Sequence, residues 1–396
     1  MLTIAIIIII VLIPLLLSLD YSLGKKEHKR NLRWLEFSKK SGDYTLYTIG
    51  DPFFTAFFQD LRAAKKRIDI MFFIVKRDEI SNEFLSLLKD KAKEGVSIRL
   101  QLDRVGSHQV GSKIRKELEA SGIQFAYMAK PGFPYLFYNL QRRNHRKIAV
   151  IDGEVGYVGG FNVGKEYLGR DTRLGNWRDY HLRLEGNIVQ DLQETFLDDW
   201  FLSTGEENGD ILVPNKSGNK DIEIVATDGG QLEDVFISMI EEARKEIFIG
   251  TPYFIPSERL FQSLLRARQR GVDIKVIVPM KSDHPFVKEA GLPYLSRLTS
   301  AGGEVYMFDL GFYHAKVLII DEKLCDIGTA NFDRRSLFLN KEVNTLIYNN
   351  RFVVDLRLAF LRDMQDSQKF NAHYRQLLNF GTKIRIGIAY LLRPFL

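Results

Sequence analysis

The sequence predicts an α/β protein of two pseudo-symmetric halves, each a parallel-rich sheet flanked by helices, preceded by an N-terminal transmembrane helix. Three observations carry this expectation. An uncharged apolar run opens the chain, a series of landmarks recurs in the same order in both halves, and one long polar motif occurs twice without insertion.

The apolar run comes first. Residues Met1 to Leu19 carry no charged side chain, and Ile4–Leu17 is almost wholly Ile, Leu and Val. A helix of about 18 residues rises about 27 Å, close to the apolar thickness of a bilayer. Pro14 would kink such a helix without preventing it from spanning. A charged leader and a small-residue cleavage site are both missing, so the segment reads as an uncleaved anchor in the cell membrane. Lys25, Lys26, Lys29 and Arg30 follow directly and assign that side, with the body, to the cytoplasm. The net charge of +6 and a pI near 9.1 call for an anionic partner, and by charge alone nucleic acid and anionic lipid both qualify. A single cysteine, Cys325, excludes an internal disulfide and suits a reducing compartment.

The repeat comes next. Gly50, Phe57 and Ala64 recur as Gly229, Phe236 and Ala243 at one constant offset. Each set is followed by an apolar strand (Ile68–Ile74, Ile247–Phe254), an amphipathic helical stretch ending in Gly-Val, and a second strand (Ser97–Leu102, Asp273–Val278). Further on, Phe196-Leu-Asp-Asp199 is echoed by Phe360-Leu-Arg-Asp363. Strand, helix, strand with short connections is the mark of βαβ units on a parallel-rich sheet. The expected division is an anchor and basic segment over 1–30, a first half over 44–202, a polar linker over 203–220 and a second half over 221–396.

The motif carries the chemistry. The first half reads His145-Arg-Lys147, then Asp152, Gly159 and Asn162; the second reads His314-Ala-Lys316, then Asp321, Gly328 and Asn331. Both fit His-x-Lys-x4-Asp-x6-Gly-x2-Asn. On a strand, residues i and i+2 share a face, so each His points with its Lys. Histidine serves as nucleophile or general acid near neutral pH, lysine neutralises a phosphoryl oxygen, and asparagine adds an uncharged donor. The candidate catalytic residues are therefore His145, Lys147, Asp152, His314, Lys316 and Asp321, with Asn162 and Asn331 as phosphate-binding donors. Acids and histidines do not cluster at metal-ligand spacing, and two lysines already offset phosphoryl charge, so neither metal nor cofactor is expected.

This doubled motif resembles the phospholipase D superfamily over roughly Gly50 to the end of the chain. Trp177-Arg178-Asp179, Asn331-Phe-Asp-Arg-Arg-Ser336, Asn340-Lys-Glu342-Val-Asn344 and the Arg-Pro-Phe-Leu terminus are similar to bacterial cardiolipin synthases. The resemblance implies two phospholipase D-like halves, a covalent phosphohistidine, no metal, and transfer of a phosphatidyl group from one phosphatidylglycerol to another. It implies that one histidine attacks phosphorus and the other serves as acid/base; His145 is taken as the nucleophile and His314 as the acid/base, although the motif itself is symmetric and leaves that choice open. It places Asp179 behind His145 and Glu342 behind His314 as the orienting acids, leaving Asp152 and Asp321 structural. One departure stands out: the residue after the motif glycine, often serine in the superfamily, is Gly160 in one half and Thr329 in the other. Phospholipid hydrolysis and phosphatidylserine synthesis would use the same residues; a membrane-bound nuclease fits the anchor poorly.

Other features read more plainly. His28, in the basic run, and His373, in the tail, are expected to be solvated; His181 is expected to be structural, and His284 sits on a loop leading to the second site. The aromatic loop from Pro131 to Leu140, with Arg142 and Arg143, either caps the core or meets anionic head groups. The basic, apolar tail Lys383–Leu396 either lies on a bilayer or packs on the body. The expected partners are the membrane and an anionic phospholipid, with no nucleic acid and no obligate protein partner.

Overall fold

The computed structural model describes residues 2–33, 35–206, 209–371 and 380–393, with side chains from residue 12 onward except at 392. The first half comprises α1 (Leu2–Arg30), β1 (Lys40–Tyr47), α2 (Gly50–Ala63), β2 (Arg67–Phe72), α3 (Glu79–Lys93), β3 (Ser97–Asp103), α4 (Ser112–Ala120), β4 (Gln124–Met128), α5 (Leu136–Gln141), β5 (Ile148–Ile151), β6 (Val155–Gly159), β7 (Asn176–Arg178), β8 (His181–Glu185) and α6 (Val189–Thr204). The second comprises β9 (Lys220–Asp228), α7 (Leu232–Glu242), β10 (Glu246–Gly250), β11 (Phe254–Ile255), α8 (Glu258–Gln269), β12 (Asp273–Pro279), α9 (Val287–Ser300), β13 (Glu304–Phe308), β14 (Gly311–Tyr313), β15 (Val317–Ile320), β16 (Leu324–Gly328), β17 (Phe332–Asp333), α10 (Arg334–Phe338), β18 (Lys341–Ile347), α11 (Asn350–Gln365), β19 (Ser367–Lys369) and α12 (Phe380–Leu392).

One 15-stranded sheet runs through both halves in the order β19-β13-β12-β10-β15-β16-β18-β9-β1-β8-β6-β5-β2-β3-β4. The expected parallel-rich sheets are corrected to one mixed sheet. Within this sheet only β2-β3-β4 and β10-β12-β13 pair in parallel, where helices α3, α4, α8 and α9 make the crossovers. The centre is antiparallel, because each motif strand turns back on itself: β5 pairs with β6 and β15 with β16.

Burial follows the sequence pattern. The phenylalanines of α2 (Phe53, Phe54, Phe57, Phe58) pack with β2 and β3, and the apolar side of α7 and α8 does the same for β10 and β12. A third core lies between the halves, where Phe196 of α6 and Phe360 of α11 pack on Ile148, Val158, Ile319 and Ile327. The repeated Phe-Leu-x-Asp landmark is thus a phenylalanine in this shared core, with an aspartate beside it. These aspartates pair across the halves: Asp199 with Lys341 at 2.6 Å, and Asp363 with Arg178 at 2.8 Å.

Helix α1 continues the apolar N-terminus into the basic run. Among the described residues no helix is long and apolar enough to cross a membrane. The side chains of 1–11, which carry much of the expected span, lie outside the described residues. The second half of α1 is docked against α5. Asp20 accepts from the Tyr138 amide at 2.9 Å, and a Cβ at Gly24 would fall 2.6 Å from Tyr138 Cβ. His28 is therefore not solvated: it is half-buried, bonded to the Tyr138 hydroxyl and 3.3 Å from Asp228.

Candidate active site

Two short pairings between the halves build the site. β14 runs parallel to β7, and a bridge joins Asn144 to Lys341. Through them the His314 amide donates to the Arg178 carbonyl at 2.7 Å, and the His145 amide to the Lys341 carbonyl at 2.9 Å. Arg178 and Lys341 immediately precede Asp179 and Glu342. Each histidine is therefore delivered to a carboxylate of the opposite half.

The side chains complete this exchange. His145 Nδ1 lies 2.9 Å from Glu342 Oε2, and His314 Nδ1 lies 2.5 Å from Asp179 Oδ2. The expected pairing of Asp179 with His145 and Glu342 with His314 is thus corrected to the crossed one. Spacing along the chain carries no information about which half supplies the acid. A carboxylate at Nδ1 fixes the proton there and leaves Nε2 with its lone pair. Lys147 and Lys316 fold back on their own histidines. Lys147 Nζ donates to the His145 carbonyl at 2.7 Å; Lys316 Nζ donates to the His314 carbonyl and stands 2.7 Å from His314 Nδ1. Aromatic rings hold the imidazoles, Phe73 at 5.0 Å from His145 and Trp177 at 4.8 Å from His314.

All six groups are buried, and that sets their charge states. Burial lowers His145 and His314 to about 4, against the pull of Glu342 and Asp179 respectively. Burial also lowers Lys147 to about 7 and Lys316 to about 8. It would raise Glu342, but the charges of His145 and Lys147 with the Thr329 hydroxyl outweigh it and hold the carboxyl at about 2. Asp179 is lowered in the same way, burial being overcome by Lys316 and His314. Two neutral imidazoles stand among two ionised carboxylates and two lysines that titrate near neutral pH, so the carboxylates at Nδ1 balance the lysines and the lysine ammonium groups remain the cationic partners for a phosphodiester.

The motif aspartates do not join this group. Asp152 accepts from the amides of Lys65, Lys66 and Arg67 at 2.7–2.8 Å, and Asp321 from those of Arg244, Lys245 and Glu246 at 2.6–2.9 Å. Each lies in the β5-β6 or β15-β16 turn, at a positive φ, and pins the entry to β2 or β10. That is the far end of the strand from the lysine, about 17 Å away at the usual rise. Asp152 and Asp321 clamp backbone amides, the structural place that the resemblance implies for them, and do not stand with the histidines where the motif alone would put them. The asparagines differ from each other. Asn162 is engaged at both ends, with the Ile74 amide and the Tyr167 hydroxyl, each at 3.0 Å. Asn331 Oδ1 is buried with no partner among the described residues.

The two dyads are not equivalent. Glu342 accepts from Thr329 Oγ1 at 2.6 Å, Ser336 Oγ at 2.8 Å and Asn340 Nδ2 at 3.4 Å. Among the described residues Asp179 accepts only the Tyr180 amide at 2.8 Å and the Trp177 indole at 3.4 Å besides its histidine. Gly160 explains the difference, since a Cβ there would lie 1.9 Å from Asp179 Oδ1. Thr329, Ser336 and Asn340 were visible in the sequence only as parts of a motif; their convergence on one carboxylate required the fold. His181 is buried, its ring tilted against Phe53 at 4.4 Å and accepting from the Phe161 amide at 3.3 Å, a structural role as expected. His284 is exposed on its loop, and His373 lies outside the described residues. The aromatic loop divides: Tyr138 is buried beneath α1, whereas Phe133 is 87% exposed.

Comparison with known proteins bears on this geometry. The family described as "Cardiolipin synthase, PLD-like domain" matches residues 57–200 and 236–364. The chain is 43% identical over 366 residues to the minor cardiolipin synthase ClsB of Bacillus subtilis (strain 168), covering 92% of each chain. It is 37% identical over 386 residues to a cardiolipin synthase of Oceanobacillus iheyensis, covering 93% of this chain and 80% of that one. Among solved structures, the phosphatidylserine synthase of Haemophilus influenzae Rd KW20 has the same fold at 16% identity, with a TM-score of 0.71 over 94% of this chain and 100% of that one.

Proposed function

The chain belongs to the cardiolipin synthase family of PLD-like phosphatidyltransferases, and on that premise we propose that it joins two phosphatidylglycerols into cardiolipin with release of glycerol. The observation that carries this reading is the pair of crossed His–carboxylate dyads with a lysine beside each. The phosphate of the first lipid sits between Lys147 and Lys316, and Asn331 supplies a further donor. Its negative charge raises the proton affinity of the facing imidazoles, so one of them takes up a proton.

His145 is assigned as the nucleophile. Its Glu342 shares charge among three neutral donors, so the imidazole holds a proton less readily, while Asp179 keeps more of its charge for His314. Lys316 beside His314 acts in the opposite sense until an arriving phosphate draws its ammonium away. His145 Nε2 attacks phosphorus, the P–O bond to glycerol breaks, and His314 protonates the departing oxygen. Neutral His314 then removes the proton from the hydroxyl of the second phosphatidylglycerol, which displaces His145 from phosphorus. The proton and leaving group balance over the cycle, and cardiolipin and glycerol are the products.

Membrane attachment belongs to the same proposal. The apolar start of α1 enters the bilayer, and Lys25, Lys26, Lys29 and Arg30 keep the body on the cytoplasmic side. The docked second half of α1 then holds the body close to its lipid.

The test is mass spectrometry of the products formed from phosphatidylglycerol vesicles. Cardiolipin with one equivalent of glycerol is expected. Phosphatidic acid would make the enzyme a hydrolase, and unchanged lipid would remove the proposal.

A further inference from the structure

Helix α12 lies along α9 with Ile386 and Ala389 turned inward, and Arg385 is tied to Glu289 at 2.7 Å. Its other side exposes Phe380 (78%), Ile384, Ile388 and Leu391 (77%). These recur at helical spacing and form one uncovered apolar stripe. At the end of that stripe is a cavity of about 180 Å³ walled by Arg297, Arg334, Arg393, Tyr294, Tyr390 and Glu258. Arg393 stacks on the Tyr390 ring at 3.6 Å, and Arg297 pairs with Glu258 at 3.0 Å. Among the described residues neither Arg334 nor Arg393 lies within ion-pair distance of an acid, so three guanidinium groups face one carboxylate. Burial raises the Tyr294 hydroxyl, while Arg393 and Arg334 act together to lower it, so both arginines bear on one point.

The orientation of this cradle has independent support. Arg334 lies over the Phe338 ring at 5.7 Å, and Lys25 of α1 lies over the same ring at 5.8 Å. The basic end of the N-terminal helix and the arginine cradle therefore share one face. Guanidinium groups match the oxygens of a phosphodiester, and tyrosines beside an apolar stripe suit the level of lipid head groups.

We infer that Arg297, Arg334 and Arg393 bind the headgroup phosphate of an anionic phospholipid, at a site sharing no residue with the paired histidines, and so seat α12 flat on the bilayer. The inference asks only for an anionic bilayer and stands apart from the transferase reading.

The experiment uses the full chain carrying His145→Ala, so that turnover does not alter the lipid, with an environment-sensitive fluorophore on Ile388→Cys; Cys325 is buried and unlabelled. It is reconstituted into phosphatidylcholine vesicles with and without phosphatidylglycerol. The expected result is blue-shifted emission, quenched by nitroxide-bearing lipid, only when phosphatidylglycerol is present. Arg334→Gln/Arg393→Gln should move that lipid dependence by about tenfold or more. Equal charge loss on the exposed face of α4, Lys113→Gln/Lys116→Gln, should leave it in place. Insertion without anionic lipid, no response to the arginine pair, an equal response to the α4 pair, or a label that stays in water would each overturn the inference.

Discussion

His314 and Asp179 meet at 2.5 Å across the boundary between the two halves, and His145 and Glu342 meet at 2.9 Å in the opposite sense. The first prediction separates the dyads. With a phosphodiester whose leaving group needs no proton, such as a p-nitrophenyl ester, His314→Ala and Asp179→Asn should still release the phenolate in a first turnover. His145→Ala and Glu342→Gln should abolish that burst. On phosphatidylglycerol, each of the four should lose about 10²–10⁴ in kcat. A burst surviving in His145→Ala but not in His314→Ala would exchange the two roles.

A second prediction concerns position 160. Gly160→Ser restores the residue frequent in the superfamily, yet its Cβ would collide with Asp179 Oδ1. Activity should fall by about 10²-fold with little change in Tm. Thr329→Ser keeps the hydroxyl on Glu342 and should be near wild type. Thr329→Val leaves that oxygen short of a donor and should cost about 1–3 kcal/mol in transition-state stabilisation or stability. Steady-state kinetics beside thermal melts distinguish the two.

The pH profile of kcat/KM follows from burial. With the p-nitrophenyl ester, whose release needs no proton from His314, His145 must be neutral to attack, so activity is lost as pH falls through about 4. Lys147 and Lys316 must be charged to hold phosphate, so activity is lost as pH rises through about 7 to 8. Lys147→Arg stays protonated throughout and should move the alkaline limb upward, at some cost in rate from its different shape. An alkaline limb that does not move would detach it from Lys147.

Asp152→Ala and Asp321→Ala should damage stability rather than chemistry. Each removes the acceptor of three backbone amides and should cost about 1–3 kcal/mol. Melting should show a drop of several degrees, with the folded fraction keeping its specific activity. A folded but inactive Asp321→Ala would return that residue to the chemistry.

These outcomes mark where sequence reasoning reached and where it stopped. His145 with Lys147, and His314 with Lys316, were legible because i and i+2 on a strand share a face and the pattern occurs twice. The hairpin at Asp152-Gly153 is also present in the sequence as a turn signal between two apolar runs, and this turn is what makes the sheet mixed where βαβ units alone predict a parallel-rich one. The crossed acids were not legible, because Asp179 and Glu342 are placed by pairings between β7 and β14 and between Asn144 and Lys341. The docking of His28 depends on Tyr138 and Asp228, far away in the chain, and no local pattern announces it.

The crossing of the dyads has a consequence during synthesis. A ribosome that has delivered the chain only through α6 has released His145 and Lys147 without Glu342, Thr329 or Lys316. That histidine has no carboxylate to set its tautomer and no partner to protonate a leaving group. Until β18 emerges and closes against the first half, a nascent chain has no competent centre with which to cut the lipid around it. Activity therefore switches on when β18 pairs with β9 and β16, and a chain interrupted before that point is inert.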